Sequence, residues 1–363
     1  MRILETLTVR GYLSIYDQEL HLDRFNVLIG ANGSGKSNLI QVFHLLQNIA
    51  SRKLQLFVGR EGGANRLLHY GRNQTTAIDI AVSFTEPPYT NGYQLRLIPT
   101  ANDSLVFEDE SVSFHNTERY EFPLDRQLGA GHKESELQEV EDRIAGHLLS
   151  DLNNIHIYQF HDTGPNAQVR QTCKISDNIV FHHNGSNLSA FLYYLERQHP
   201  RHFKRIERSV RSIAPFFQKF ILHPSRLNSE SIQLEWKDIH DDMHFGTSAL
   251  PDGLLRFICL ATALSQSKLP SLMILDEPEL GLHPAAITYL AGLLRKCEHK
   301  CQIVSATQSV TLLNQLSPDN IWIAEREGGK SIFKPLVEEN LTPWLEQYSV
   351  GDIWEKNLIG GRP

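Results

Sequence analysis

A chain of 363 residues, 41% hydrophobic and 21% charged, has an ordinary globular composition and the length for one large domain or two closely packed lobes. Its formal net charge of −7 excludes a protein that coats nucleic acid by bulk electrostatics, so any nucleic-acid contact has to be a local patch. The longest apolar runs, such as 269–275, fall well short of the roughly 18 residues a membrane span needs, and the alternating N-terminus lacks an apolar signal segment; the expectation is a cytoplasmic protein without membrane contact.

Residues 2–29 read as two or three strands, ILETLTV, LSIYDQELHL and FNVLI, with Gly11 and Asp23-Arg24 as turns, forming a small antiparallel entry to a glycine-rich loop. The last strand runs directly into Gly30-Ala31-Asn32-Gly33-Ser34-Gly35-Lys36-Ser37, and an apolar helical segment succeeds it. Strand, glycine loop and helix around G-x-x-x-x-G-K-[ST] make a phosphate-binding loop, the Walker A pattern. Gly30, Gly33 and Gly35 let the backbone curl until the N–H groups of the segment, from Asn32 through Ser34 to Asn38, face a phosphate at the positive end of the helix. Lys36 is expected to reach the β- and γ-phosphates, and the Ser37 hydroxyl to hold Mg²⁺. Tyr12 or Tyr16 either stacks on the base or packs in the sheet.

Residues 52–72, with four arginines and four glycines, read as a mobile basic loop beside the nucleotide. TAIDIAVSF, YQLRLIP, SLVFEDESVSF and TERYEFPL then alternate apolar and polar, which predicts an antiparallel β subdomain over 51–130. Helical spacing of Leu137, Val140, Ile144, Leu148 and Leu149 predicts one surface helix over 132–152. The strand NNIHIYQFHD ends in a polar group, Gln159 to Asp162, read as ordinary loop chemistry because, with His156, His182 and His183, it shows no metal-ligand spacing. Residues 186–217 are helical with a break at Pro200. The second half sets Lys204, Arg208 and Arg211 at i, i+4 and i+7, the best basic stripe in the chain, suited either to duplex DNA or to solvation. SESIQLEWKDI is a further strand, and 131–244 reads as a helical and strand insertion lobe.

From residue 246 a turn at Asp252-Gly253 opens an apolar helix. In LPSLMILDEPELGLHP a fully apolar run ends in Asp276-Glu277, the pattern of a strand buried on both faces with its carboxylates at the site, a Walker B element. Asp276 is expected to hold Mg²⁺ with Ser37, and Glu277 to activate the attacking water as general base. The strand CQIVSATQS ends beside them, with Gln308 as sensor of the γ-phosphate. Cys297 and Cys301 flank His299 and read as helix packing rather than a zinc site. NIWIAERE and SIFKPLV close the sheet, and a tail over 336–363, carrying Trp344, Tyr348 and Trp354, folds back onto the body or docks a partner.

Taken in this order, the P-loop, ALPDGLLR, LDEPELGLHP and SATQS resemble the ABC-type ATPases of the RecF and SMC-like group. The resemblance implies an α/β P-loop NTPase fold of ABC/SMC-head type, a mixed sheet with an antiparallel β subdomain and a helical lobe, whose nucleotide core is 1–50 and 245–335. It implies ATP and Mg²⁺ as ligands, Glu279 to His283 as the D-loop, and a head-to-tail homodimer with ATP at the interface, in which Asp252 and Gly253 act in trans. Three departures point to slow hydrolysis: Pro251 where the signature has serine, Gln308 in place of the switch histidine, and Tyr12-Leu13-Ser14 without the usual arginine. No heptads run between 50 and 245, so no coiled coil is expected, and no Toprim-type nuclease segment follows the ATPase motifs. The chain is similar in this to compact ATPases of bacterial phage-defence clusters. The resemblance leaves three roles: a switch controlling a separately encoded effector protein, a nucleotide-gated scaffold with vestigial hydrolysis, and a repair ATPase clamping duplex DNA.

Overall fold

The computed structural model describes residues 2–140, 142–336, 344 and 347–361. Strands β1 (Ile3–Tyr12) and β2 (Ile15–His21) form a hairpin that turns at Leu13-Ser14, with Leu13 at φ 50, rather than at Gly11. Strand β3 (Phe25–Ile29) is buried at every position and leads through the P-loop into α1 (Lys36–Ala50). It does not pair with the hairpin: β1 and β2 belong to another sheet, so the expected three-stranded entry is two layers.

The expected mobile loop is folded. It forms α2 (Leu54–Arg60) and α3 (Ala64–Leu67), which bury Leu54, Phe57, Val58, Ala64 and Leu67. The Glu134 carboxylate accepts hydrogen bonds from the Leu54 and Gln55 amides at 2.8 and 3.0 Å, satisfying the open N–H groups of α2. Among the arginines, Arg52 pairs with Glu139 and Arg72 with Asp103. The glycines and charges hid an apolar i, i+3, i+4 face.

Strands β4 (Ile78–Glu86), β5 (Tyr89–Pro99), β6 (Leu105–Asn116) and β7 (Leu124–Gly129) complete an antiparallel sheet in the order β2-β1-β4-β5-β6-β7. Helix α4 (Arg143–Asn153) is half the length expected. Asp142 caps it through the Ile144 amide, and the preceding segment is pulled away by buried Glu110, whose carboxylate takes His132 Nε2, the Ser135 hydroxyl and the Glu136 amide. Here a tertiary contact overrides helical spacing.

Beyond β8 (Ile155–Tyr158) and β9 (Cys173–Lys174), the helical lobe holds α5 (Leu188–Gln198) and α6 (Pro200–Ile213), separated at Pro200 as expected. β10 (Phe217–Ile221) follows. The stretch 230–239 is two short strands in different sheets, β11 (Ser231–Ile232) against β9 and β12 (Glu235–Asp238) between β10 and β13 (His244–Gly246). Then come α7 (Asp252–Ser265), β14 (Leu272–Asp276), α8 (Pro284–Glu298), β15 (Gln302–Thr307), α9 (Val310–Leu313), β16 (Ile321–Glu327), β17 (Lys330–Pro335) and α10 (Val350–Glu355).

The second large sheet runs β17-β16-β3-β15-β14-β8, parallel from β16 to β8 with β17 antiparallel. It separates two cores. Phe25, Val27 and Ile29 of β3 and Met273 and Leu275 of β14 face the helical lobe, while Leu28, Leu272 and Ile274 face α1 and the antiparallel sheet. The mixed sheet, antiparallel sheet and helical lobe stand as expected. No described helix exceeds the 15 residues of α1 and α8, and none is long and apolar enough to cross a membrane.

Candidate nucleotide site

Because β3, β14 and β15 are parallel, their C-terminal ends share one edge, and the segments leaving them meet there. The P-loop needs its glycines for two different reasons. A Cβ on Gly30 would lie 2.2 Å from the Ala324 carbonyl oxygen and one on Gly35 2.0 Å from Ser331 Oγ, so both fit the loop against β16 and β17. Gly33, at φ 78, has nothing within 4 Å of its Cβ position among the described residues and leaves the loop open to a ligand. Ser34 Oγ is buried without a partner among the described residues. Lys36 Nζ donates to the Gly30 and Ala31 carbonyls at 2.6 and 3.0 Å. Burial lowers its pKa, opposed by the charges of Glu277, Asp276 and Glu279. Ser37 is exposed, and Asn38 Nδ2 donates to Ser14 Oγ.

Asp276 closes β14. Its Oδ2 accepts from Gln159 Nε2 at 3.1 Å, its carbonyl accepts from His161 Nε2 at 3.0 Å, and burial raises its pKa. Gln159 is therefore part of the site rather than loop chemistry. The only signal for it is topological: β8 pairs in parallel with β14 at Tyr158 and Leu275, which makes Gln159 and Asp276 the next residues in register. Glu277 sits at φ 42, an uncommon conformation for a side-chain-bearing residue, and its amide donates to the Ala306 carbonyl at 2.9 Å. Gln308 Nε2 donates both to Glu277 Oε1 at 2.7 Å and to Asn32 Oδ1 at 2.9 Å, tying the three parallel strands' exits together. Glu279 is buried. It accepts from the Thr307 hydroxyl and the Gln308 amide, its Oε2 has no partner among the described residues, and burial raises its pKa.

Asp252 and Gly253 make no hydrogen bond to the P-loop of their own chain among the described residues. Asp252 Oδ1 accepts from Arg170 Nη2 at 2.6 Å with its side chain 67% exposed, and a Cβ on Gly253 would meet the Gly281 carbonyl oxygen at 2.4 Å. Two buried arginines that sequence reasoning missed hold this corner. Arg170 donates to the carbonyls of Thr163, Leu250 and Thr247, and Arg256 to those of Phe160, His161 and Leu280.

Tyr12 is fully buried in the core and is not available to a base; Tyr16 is half exposed beneath the Lys330 ammonium, 3.6 Å from its ring centre. Lys204, Arg208 and Arg211 lie exposed on one side of α6, away from this edge. Arg205, Arg208 and Arg211 line a groove of about 660 Å³ with Lys296 of α8. Arg211 is engaged by the Gln218 carbonyl at 2.7 Å, while Lys204, Arg205, Arg208 and Lys296 have no ion pair among the described residues.

The residues fit a phosphorylated ligand with a hard cation. An open glycine, an orphan serine hydroxyl and an ammonium bound only to carbonyls of its own loop suit phosphate, and the Ser37, Asp276 and Gln159 oxygens are the donors Mg²⁺ takes.

A family model described as "AAA domain, putative AbiEii toxin, Type IV TA system" (AAA_21) matches residues 25–314. The chain is 23% identical over 395 aligned residues to the OLD nuclease of Thermus scotoductus, a match spanning 99% of this chain and 68% of that protein. It is 24% identical over 115 residues to the phosphate import ATP-binding protein PstB of Malacoplasma penetrans, 30% of this chain and 39% of that protein. Among solved structures, an Smc head bound to the C-terminal winged-helix domain of ScpA superposes with a TM-score of 0.62 at 16% identity, covering 94% of this chain and 99% of that one. An Smc head with an extended coiled coil, bound to the C-terminal domain of ScpA from Pyrococcus furiosus, gives 0.59 at 16% identity over 96% and 99%.

Proposed function

The chain belongs to the AAA_21 family and has the fold of an SMC-like P-loop ATPase, and from that premise we propose that it is an ATP-hydrolysing switch that dimerises head to tail on ATP and controls a separately encoded effector in bacterial antiphage defence. One observation carries the reading: the Gln308 amide bridges Asn32 of the P-loop and Glu277, so the residue placed to sense a γ-phosphate already touches the residue placed to activate water.

In this reading the loop amides and Lys36 bind the phosphates, Lys36 exchanging its two carbonyl partners for phosphate oxygens. Ser37 and Asp276 hold Mg²⁺, with Gln159 beside them; bound there, the ion neutralises phosphate charge. Glu277 accepts the proton of the attacking water. Asp252, held by Arg170, and Gly253, both without a hydrogen bond to their own P-loop among the described residues, would meet a second copy's nucleotide. The antiphage role draws its support from the toxin–antitoxin wording of the family description and from the OLD nuclease relative.

The test is Glu277→Gln. The variant should bind ATP, accumulate dimer by native mass, and lose turnover by about 10²–10⁴-fold. Wild-type turnover in the variant removes Glu277 from its role, and no ATP-dependent dimer in either protein removes the dimer.

A second reading, a DNA-clamping ATPase, is favoured by the unpaired cations of the α6–α8 groove on a chain of net charge −7. Duplex affinity should then fall steeply with salt and drop on reversing Lys204, Arg208 and Arg211 to glutamate. Binding that ignores both changes ends this reading.

A further inference from the structure

The segment after β17 returns to the nucleotide site and touches it at two places. Its helix α10 starts from a reciprocal cap, Ser349 with Asp352, and buries Val350, Ile353 and Trp354 in the same core as Leu312, Leu313 and Ile323. The first contact is with α9, which begins two residues after Gln308. The Gly351 amide donates to Asn314 Oδ1 at 2.8 Å, and a Cβ on Gly351 would lie 2.3 Å from Asn314 Oδ1 and 2.7 Å from Val310 Cγ1. The second contact is with β16, beside the start of the P-loop. The Gly361 amide donates to Glu325 Oε1 at 3.0 Å, and a Cβ on Gly361 would stand 3.0 Å from Ile323 Cγ2 and 3.4 Å from the Cα of Gly30. A Cβ on Gly360 would lie 2.3 Å from Glu325 Oε1, the end of a side chain that can move.

We propose that residues 349–361 are positioning residues for the nucleotide site, a strap that fixes the P-loop relative to the segment bearing Gln308. This rests on the reading of that site as the place where ATP is bound. The physical case has two parts. Helix α9 has only 4 residues, too short to hold its shape by its own hydrogen bonds, so the direction in which Gln308 leaves β15 depends on what α9 packs against, and that is α10 on one part and α8 on another. Gly30 is the first residue of the P-loop and its carbonyl holds Lys36. A Cβ on it would lie 2.2 Å from the Ala324 carbonyl oxygen, and its Cα is 3.4 Å from the Cβ position of Gly361, so the strap's far end packs beside the near end of the loop. At 351 any side chain would press on Asn314 and Val310, and at 360 and 361, with φ of 80 and 69, a side chain would strain the backbone of the strap.

Trp354 supplies a built-in reporter. Its indole Nε1 is buried without a partner among the described residues and lies 3.6 Å from the Gly361 Cβ position, next to Gly30. A rearrangement of Gly30 as Lys36 leaves its carbonyl has to change the environment of this ring.

The experiment uses the full chain. Gly351→Val and Gly361→Val are titrated with a fluorescent ATP analogue well below their melting temperatures, with circular dichroism as the check on folding. Each should bind about tenfold more weakly than wild type, and Gly351, which packs on α9 rather than on the P-loop, is the variant that separates positioning from direct contact. In parallel, tryptophan emission is recorded with and without saturating Mg-ATP in wild type and in Trp354→Phe. The nucleotide-induced change should be present in wild type and lost in the variant. Wild-type affinity in both valine variants overturns the strap, as does an emission change that survives in Trp354→Phe or is missing from wild type. If a valine variant does not fold, the emission comparison decides alone. If wild type binds no nucleotide, the reading of the site fails first, and the strap with it.

Discussion

The P-loop and the start of α7 are held by opposite means. Around the P-loop the fastenings are backbone and glycine: Gly30 and Gly35 fit against Ala324 and Ser331 because they have no side chain, and Lys36 closes on carbonyls of its own loop. Around α7 the fastenings are two long cations reaching far along the chain, Arg170 to Thr247 and Leu250, and Arg256 to Phe160, His161 and Leu280. A loop that must curl around an anion is best built from consecutive residues, since its geometry is then preset. A helix end that meets a second molecule, as proposed for the start of α7, has no ligand of its own to hold it, and needs a scaffold from elsewhere.

The sharpest way to break this comparison is to remove one scaffold arginine. Arg256→Met keeps the apolar stem and takes away donors to three buried or partly buried carbonyls. Leaving such acceptors unpaired should cost about 3 kcal/mol of stability, or about 4 °C in Tm for a chain of this size. Turnover that depends on a docked signature helix should fall with it, while nucleotide affinity measured below the melting temperature stays within about twofold, because none of the P-loop's fastenings described above runs through Arg256. Joint loss of affinity and turnover in a folded variant shows that the halves are one unit.

The same contrast explains what could be read from the residues alone. The P-loop, the buried strand ending in Asp276-Glu277 and the parallel core were legible because each is written in neighbouring residues with a fixed period. Gln159 was not: its role comes from the register of β8 on β14, strands more than a hundred residues apart. Nor were Arg170 and Arg256, which look like any arginine until the loops they serve are folded around them. The 132–152 stretch shows the converse error, a valid helical stripe cut at Asp142 by the pull of buried Glu110. Local pattern described local structure, and failed where a buried polar group outbid it.

Glu279 joins the two halves and gives the smallest of the expected effects. One neighbour, Leu280, is fastened by Arg256, while its own carboxylate takes the Thr307 hydroxyl and the Gln308 amide on the phosphate side. Its second oxygen is buried without a partner among the described residues, and burial raises its pKa. Between the ordinary carboxylate value and the raised one, the folded chain therefore holds a proton that the unfolded chain has released, so this residue's contribution to stability falls as pH rises through that window. Glu279→Gln keeps the acceptor that binds Thr307 and Gln308 but removes the charge. Without nucleotide it should be more stable than wild type at pH 7.5 by about 1 kcal/mol, or about 1 °C in Tm, and the gap should close as pH falls toward the ordinary carboxylate range, where wild type carries the proton as well. A thermal melt series of both proteins from pH 7.5 downward reads this directly. A variant less stable at every pH means that the charge, rather than the shape, of Glu279 ties the arginine-held corner to the phosphate side, and the two halves then share an electrostatic fastening that neither geometry nor sequence displays.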